Sequence, residues 1–199
     1  MKTNATAHNL RLALGSVGLS LPFLLWAFNE FKIERSLSSY YLTDTAPRDI
    51  FVGSLVLFGA FLLSYRGYPK DESKDQWTSD NFVTNMAGIS ILITALVPTE
   101  TGEKSIVGII HLFSAGVFFL LMGYMSFQHF TRGQAENTIK KIKKLIYRIS
   151  GIVIWACILF LAYKFVTKGI SGNIVFWIEV VALECFAFSW LLKGIDNDG

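Results

Sequence analysis

The sequence predicts an all-α membrane protein, with six transmembrane helices in one bundle and both termini in the cytoplasm. Hydrophobic residues make up 52% of the 199 positions, and aromatic residues make up 15%. Only 17% are charged, whereas soluble domains carry about 25%. The charges also cluster between long apolar runs. Helices are expected in these runs because lipid offers no hydrogen-bond partner to an unpaired backbone.

The predicted spans follow from length, since a membrane-crossing helix needs about 20 mostly apolar residues. Asn85 and Thr94 interrupt the third span, and two glutamates interrupt the sixth. Pro22 is predicted to kink the first span without ending it. We treat residues 1–199 as a single domain. Its predicted helices are 10–29, 49–66, 81–98, 105–127, 147–167 and 173–193.

The orientation comes from the positive-inside rule. Twelve of the 18 Lys and Arg residues fall on the side that holds both termini, so this side is predicted to be cytoplasmic. The run "KKIKK" at 140–144 is interpreted as a positive anchor, with an anionic-lipid site as the alternative. The expected location is the cell membrane, plasma or inner, as a multi-pass protein.

Small residues at membrane depth are predicted to be points of close helix packing. These are Gly15, Gly18, Gly53, Gly59, Gly88 and Gly116. The sequence offers no nucleotide-binding or nucleic-acid-binding motif, and the net charge of +3 does not indicate a nucleic-acid partner. No cofactor and no metal are predicted, because metal sites recruit several His or Cys side chains and His111 is the one histidine at membrane depth.

Ionisable residues inside spans are candidates for function because their burial in lipid is costly. His111 lies about 9 Å from the outer end of the fourth span, and Glu179 lies at about the same depth in the sixth, at a rise of 1.5 Å per residue. Asp49 begins the second span from the same side, next to Arg48. Glu184 is deeper, at about 16 Å. The shared depth predicts a shallow polar pocket, or alternatively a structural ion pair.

The two glutamates of the sixth span are not expected to act as a pair, because five residues separate them by about 140° around a helix. At the inner end, Ser79 and Asp80 are interpreted as a helix N-cap. Asn81 and Asn85 share one face of the third span at i, i+4 spacing and are assigned to helix–helix contacts.

The segment 36–49, "SLSSYYLTDTAPRD", connects the first two spans on the outer side. We interpret it as a lid over the shallow pocket, with hydroxyl groups available for a headgroup. Pro47 is predicted to set the entry into the second helix.

This arrangement resembles the FRAG/DRAM/Sfk-like membrane proteins and their bacterial relatives. The similarity lies in the six spans, in "SLSSYY" followed by Thr-Asp-Thr and a proline, in Phe51, and in "IIHLFSAGVFFLLMGY" with its histidine. The resemblance implies an association with lipids or lipid-anchor remodelling. It places an outer cluster at Ser38, Ser39, Tyr41, Asp44, Arg48, Asp49 and His111.

The predicted function is binding or handling of a membrane lipid at an outward-facing polar pocket between helices 2, 4 and 6. The predicted ligand-binding residues are Ser38, Ser39, Tyr40, Tyr41, Asp44, Arg48 and Glu184. One alternative is an intramembrane lipid hydrolase or transferase using His111 with Asp49 or Glu179. Others are a small proton-coupled transporter using Glu179 and Glu184, and an assembly partner. The sequence predicts no oligomeric state.

Overall fold

The computed structural model describes residues 2–44, 46–67, 78–99, 105–132, 137–167 and 172–195, with side chains from residue 6 onward. These ranges hold six α-helices and no strand. A short 3-10 helix, Ser38–Leu42, follows α1, and a π-helical turn, Met125–His129, continues α4. The α-helices are α1 (Lys2–Phe28), α2 (Ala46–Ser64), α3 (Asp80–Leu96), α4 (Ile106–Tyr124), α5 (Thr138–Thr167) and α6 (Ile174–Ile195).

Five of these helices are long and apolar enough to cross a membrane, and α3 is a shorter apolar helix of 17 residues. Large apolar side chains lie on the outside of the bundle, with Ile106 77%, Phe113 73% and Leu159 69% exposed. Such a surface is suited to lipid and not to water. The chain is therefore a multi-pass integral membrane protein. A membrane crossing by α3 and the cytoplasmic side of the termini stay predictions.

Two helices begin well before their predicted spans. α1 begins at Lys2 instead of residue 10, and α5 begins at Thr138 instead of residue 147. The predicted limits marked only the apolar parts, whereas the polar residues before them are helical as well. The alanines before α1's apolar part and the lysines before that of α5 are good helix formers. The basic run 140–144 therefore lies on the first turns of α5, and α1 continues through Pro22.

The helices form a ring in chain order, and α6 closes the ring against α1. α1 and α6 run antiparallel and close together: a Cβ built on Gly15 would lie 2.6 Å from the Leu191 backbone nitrogen, and one on Gly18 would lie 2.6 Å from the Ala187 Cβ. Close packing is also confirmed at Gly59 and Gly88, between α2 and α3. It is wrong for Gly53 and Gly116, where a Cβ would meet nothing within 4 Å.

Aromatic rings fill the inside of the ring of helices. The Phe186 ring of α6 packs edge-on against Phe58 of α2 at 5.7 Å and against Phe118 of α4 at 5.5 Å. Towards the next turn, Trp190 packs against Tyr65 at 5.1 Å and Phe130 at 5.2 Å. These edge-to-face contacts add to the burial of the rings. The space between α2, α4 and α6 at mid-depth, next to the predicted pocket, is therefore occupied by side chains.

Candidate functional site

We call the end of the bundle that holds the α1–α2 connection the outer end, following the predicted orientation. This connection, residues 29–44, is the outer lid. The chain leaves α1 through two residues with positive φ, Glu30 and Phe31. The Trp26 indole N–H donates to the Phe31 carbonyl at 2.9 Å, and the two rings lie 5.0 Å apart. The start of the lid is thereby fixed to the last turn of α1.

Tyr40 fixes the other half of the lid. Its side chain is fully buried, its ring packs against Phe176 of α6 at 6.3 Å, and its hydroxyl donates to the Lys32 carbonyl at 3.1 Å. Burial raises the pKa of Tyr40 above its ordinary value of 10.0. Nearby, the hydrogen bond from Lys32 lowers the pKa of Glu30, and both groups are exposed.

Glu179 connects α6 to the lid. Its Oε2 accepts a hydrogen bond from the Leu37 backbone N–H at 2.6 Å, just before the 3-10 helix. One turn earlier in α6, the Phe176 N–H donates to the Arg35 carbonyl at 3.0 Å. Backbone amides are strong donors that need partners when buried. The carboxylate therefore serves as a latch that holds the lid against α6.

The other lid residues of the predicted ligand site lie on or beside the 3-10 helix. The Ser36 hydroxyl lies 3.0 Å from that of Ser38 and 2.7 Å from that of Ser39. Tyr41 is half-buried, and Asp44 is exposed at the end of the lid. The serine hydroxyls thus bond one another in a local turn. Their contact with a headgroup stays a prediction.

Arg48 and Asp49 form a surface pair at the start of α2. The Arg48 Nε lies 3.6 Å from the Asp49 Oδ1, and their side chains are 48% and 79% exposed. Within the described ranges, no hydrogen bond or ion pair joins Asp49, His111 and Glu179 to one another. The shared depth of these three groups along their helices therefore does not bring them into contact.

His111 is buried, with 3% of its surface exposed. Its Nδ1 lies 2.7 Å from the Val97 carbonyl at the end of α3. A carbonyl can only accept, so Nδ1 carries the proton and donates. The Nε2 atom is also buried and has no hydrogen-bond partner in the described part of the chain. In the neutral imidazole this atom is an acceptor, so a buried lone pair is left unmatched.

An apolar groove of about 310 Å³ lies between α3 and α4, and Ile110, the chain neighbour of His111, is one of the residues that line it. Ser114, on its wall, donates to the His111 carbonyl at 2.9 Å and lies 2.9 Å from the Thr94 hydroxyl. These bonds satisfy the polar groups of the wall locally. The groove is lined by Ser90, Ile93, Ile109, Ile110, Phe113, Ser114 and Val117.

Glu184 lies five residues, about 1.4 turns, farther along α6 than Glu179. Its side chain is half-buried, and its Oε1 is buried with no hydrogen-bond partner in the described residues. It precedes Cys185, which is half-buried and not in a disulfide. The structure therefore separates the roles of the two glutamates, since Glu179 holds the lid and Glu184 does not contact it.

The opposite, inner end contains a polar group that the sequence did not predict. Asp80, 2% exposed, accepts hydrogen bonds from the Arg132 Nη1 at 2.6 Å and from the His129 Nδ1 at 2.5 Å. His129 is 3% exposed. The Arg132 Nη2 lies 3.2 Å from the His129 Nε2 and 3.4 Å from the Thr78 carbonyl. Three ionisable side chains thus meet directly.

Two hydroxyl groups extend this group of residues. The Thr78 hydroxyl lies 3.4 Å from the His129 Nε2 and 3.4 Å from the Tyr124 hydroxyl. The Tyr124 ring packs against the His129 ring at 5.1 Å. We call these five residues, Thr78, Asp80, Tyr124, His129 and Arg132, the inner cluster.

A second arginine lies near the inner cluster. The buried Arg11 of α1 donates to the Tyr65 hydroxyl through Nε at 3.0 Å and through Nη2 at 2.9 Å. A Cβ on Gly67 would overlap the Asp80 side chain and lie 2.7 Å from Tyr65 Cε1. The Tyr65 ring and the Asp80 carboxylate are therefore near neighbours, with Gly67 between them.

The inner cluster could not be recognised from local sequence patterns. Ser79 is the N-cap of α3, as predicted, because its hydroxyl accepts from the Phe82 N–H at 3.1 Å. Asp80 was assigned to the same cap, whereas its carboxylate points to a partner 49 positions away. The π-helical turn that carries His129 to Asp80 has no sequence signature. The one available signal was the presence of Asp80, His129 and Arg132 at neighbouring span ends.

Within the described ranges, no three His, Cys, Asp or Glu side chains come together in an arrangement that could hold a metal ion. Comparison with known proteins adds no assignment: the chain matches no protein-family model, no curated protein and no solved structure.

Proposed function

We propose that this integral membrane protein binds a lipid at its outer end, with an acyl chain in the α3–α4 groove and a polar headgroup at His111. The observation that carries the proposal is the buried, unmatched Nε2 of His111. A buried acceptor without a partner costs about 1–3 kcal/mol, so a bound donor would stabilise the complex by a similar amount.

The ring orientation specifies what kind of headgroup fits. Because Nδ1–H is held by the Val97 carbonyl, the neutral ring can only accept at Nε2. The matching ligand group is therefore a hydroxyl or an ammonium, as in a lipid with a glycerol or ethanolamine headgroup. A bare phosphate oxygen has no proton to offer to this atom.

The groove supports the same ligand class. It lies on a surface where Ile109, Ile110 and Phe113 are 47%, 44% and 73% exposed, and it opens towards the side where lipid chains are expected. A hydrocarbon chain matches its apolar walls. The proposed site therefore lies between α3 and α4, and not between helices 2, 4 and 6, where Phe58, Phe118 and Phe186 fill the space.

The outer lid belongs to this proposal as the cover of the outer end. Its predicted contacts, Ser38, Ser39, Tyr40 and Tyr41, lie on the 3-10 helix that Glu179 latches. The resemblance to the FRAG/DRAM/Sfk-like proteins is part of the same proposal, since association with lipids is what it implies.

The test is lipid co-purification measured by mass spectrometry. His111→Ala is expected to lower the amount of the retained lipid about tenfold, as the loss of one buried hydrogen bond implies. His8→Ala, in the first turns of α1, is the matched control. Equal retention in wild type and His111→Ala contradicts the headgroup assignment.

The groove is tested separately by filling it. Ile110→Trp is expected to exclude the acyl chain, whereas Leu159→Trp, on the exposed surface of α5, leaves retention unchanged. If both variants retain the same lipid as wild type, the α3–α4 groove is not the site.

A lipid hydrolase or transferase using His111 is the second candidate. A general base needs a fixed Nδ1–H and an Nε2 lone pair that accepts no other hydrogen bond, and His111 has both within the described ranges. The orienting group is then the Val97 carbonyl, since Asp49 pairs with Arg48 and Glu179 binds the Leu37 amide. A changed cellular lipid profile with His111→Ala, at unchanged lipid retention, supports catalysis over binding.

A further inference from the structure

We propose that the inner cluster is a second site, which binds the phosphate group of an anionic ligand through Arg132, Thr78 and Tyr124. This site is separate from the lipid site at the outer end. Its ligand is a phosphate monoester, carried either by an inner-leaflet lipid or by a soluble compound.

The donor inventory of Arg132 supports the proposal. A guanidinium has five N–H groups. Asp80 engages one of them at Nη1, and Thr78 and His129 share the two at Nη2. Nε–H and the second Nη1–H have no acceptor within the described ranges. The side chain is 20% exposed, so part of it reaches the surface of the protein. Arginine forks are well suited to phosphate oxygens.

Asp80 and His129 hold the guanidinium in place before a ligand arrives. Both are buried, and the His129 Nδ1–H donates to the same Asp80 oxygen that receives Arg132. His129 then presents an acceptor at Nε2 to the Arg132 Nη2. A side chain fixed in this way loses little rotamer freedom on binding, which favours affinity.

The two hydroxyls are weakly engaged and can serve as further donors. The O···O distance between the Thr78 and Tyr124 hydroxyls is 3.4 Å. Hydroxyl pairs are typically about 2.7–2.8 Å apart, so this hydrogen bond is long. Both residues are half-buried. Rotation of either hydroxyl towards a phosphate oxygen replaces a long bond with a charge-assisted one.

The surroundings favour an anion as well. Phe130, next to His129, packs against Tyr147 of α5 at 5.5 Å, so the third turn of α5 lies beside Phe130. The first turns of this helix carry the basic run 140–144, in which Lys140 and Lys141 are exposed. Basic side chains at a membrane surface attract anionic headgroups.

The experiment measures binding to the purified full-length protein by native mass spectrometry. The probes are dioleoyl phosphatidic acid and dioleoylglycerol, which differ only in the phosphate. The two lipids are compared in His111→Ala protein, because the outer site of the wild type is itself proposed to bind a glycerol hydroxyl. This protein is expected to retain the first lipid and not the second. Arg132→Gln is expected to weaken retention about tenfold or more, while Arg148→Gln, which removes an exposed arginine from α5, leaves it within about twofold.

Inorganic phosphate and glycerol 3-phosphate, added as competitors, identify the source of the phosphate. Displacement of phosphatidic acid by millimolar glycerol 3-phosphate assigns a soluble phosphate monoester, and no displacement assigns a lipid headgroup. Either result supports a phosphate site. Equal losses in the two arginine variants, or equal retention of the two lipids, overturn it.

Tyr124→Phe keeps the result interpretable if Arg132→Gln does not fold. This change removes one hydroxyl and retains the ring contact with His129, so the protein is expected to fold and to bind about threefold more weakly. Unchanged binding by Tyr124→Phe, in a case where Arg132→Gln fails to fold, also overturns the proposal. His111→Ala should leave phosphate binding unchanged, which separates this test from that of the outer lipid site.

Discussion

Ionisable side chains have different kinds of partners at the two ends of the bundle. At the outer end three of them have separate partners: Glu179 binds the Leu37 amide, the His111 Nδ1 binds the Val97 carbonyl, and Asp49 pairs with its neighbour Arg48. At the inner end, Asp80, His129 and Arg132 bond directly to one another.

This difference shows that depth along a helix is not enough to bring residues together. Asp49, His111 and Glu179 are predicted to share a depth along their helices, but rotation around each helix decides where a side chain points. Asp49 faces outward with 79% of its side chain exposed. The inner residues meet because the start of α3 and the end of α4 are adjacent, and because a π-helical turn directs the His129 side chain towards Asp80. The predictions below test the contrast, from the largest expected effect to the smallest.

Loss of Asp80 should have the largest effect. Asp80→Ala leaves Arg132 and His129 without their shared acceptor, and breaking a buried ion pair costs about 3–5 kcal/mol. Asp49→Ala, at the exposed outer pair, should change the free energy of unfolding by less than about 1 kcal/mol. Denaturant unfolding in detergent micelles measures both. Similar values for the two variants would remove the contrast between the ends.

Loss of Glu179 should loosen the lid without unfolding the bundle. Loss of this acceptor leaves the Leu37 N–H without a partner, which costs about 1–3 kcal/mol, and the effect should be local because Leu37 lies outside the α-helices. Hydrogen exchange of the Leu37 amide is expected to accelerate strongly in Glu179→Ala and less in Glu179→Gln, which keeps an acceptor oxygen. Unchanged exchange at Leu37 in both variants argues against a latch.

Gly67→Ala tests the packing at the inner end without changing any charge. In Gly67→Ala the added methyl overlaps the Asp80 side chain, and such overpacking costs about 1–3 kcal/mol. Gly53→Ala is the matched control, because a Cβ there meets nothing within 4 Å. In the middle of α2 it should stabilise by about 0.5–1 kcal/mol. Thermal unfolding of the two variants should therefore shift in opposite directions.

Tyr40 should give the smallest effect, and one that depends on pH. Tyr40→Phe removes the bond to the Lys32 carbonyl, at a cost of about 0.5–1.5 kcal/mol. Burial raises the pKa of the folded-state Tyr40 above 10.0. Its contribution is thus complete below pH 10 and is lost as the pH rises through the folded-state pKa. The gap in unfolding midpoint between wild type and Tyr40→Phe should close at alkaline pH. Tyr163→Phe, 62% exposed, should show no gap.

Hydropathy was sufficient to predict the helices, because a run of apolar residues between charged segments has few alternatives in lipid. It could not predict the polar extensions at the starts of α1 and α5, since these lie where water satisfies side chains and hydropathy carries no signal. It also could not predict the 3-10 helix of the lid or the burial of Tyr40 within it, because the Tyr40 ring packs against Phe176, which is distant in the sequence.

The sites were harder to predict than the helices. His111 was identified by the cost of a buried ionisable group, but its partner is the Val97 carbonyl, and a backbone atom has no residue type to recognise. Asp80 had a local explanation as part of a helix cap, and His129 lies just outside the predicted span 105–127. Only the packing of α3 against the end of α4 shows that they are partners.

The π-helical turn Met125–His129 ends the fourth helix and changes the angular position of the residues that it carries. Its hydrogen bond runs from the Phe130 N–H to the Met125 carbonyl, so the turn contains one residue more than an α-helical turn. Each residue rotates an α-helix by about 100°. Deleting one residue here would restore an uninterrupted α-helix and swing His129 and Arg132 away from Asp80. The length of this segment is therefore as constrained as its composition, and a homologue with a shorter turn would have lost the inner cluster even if it kept every ionisable residue.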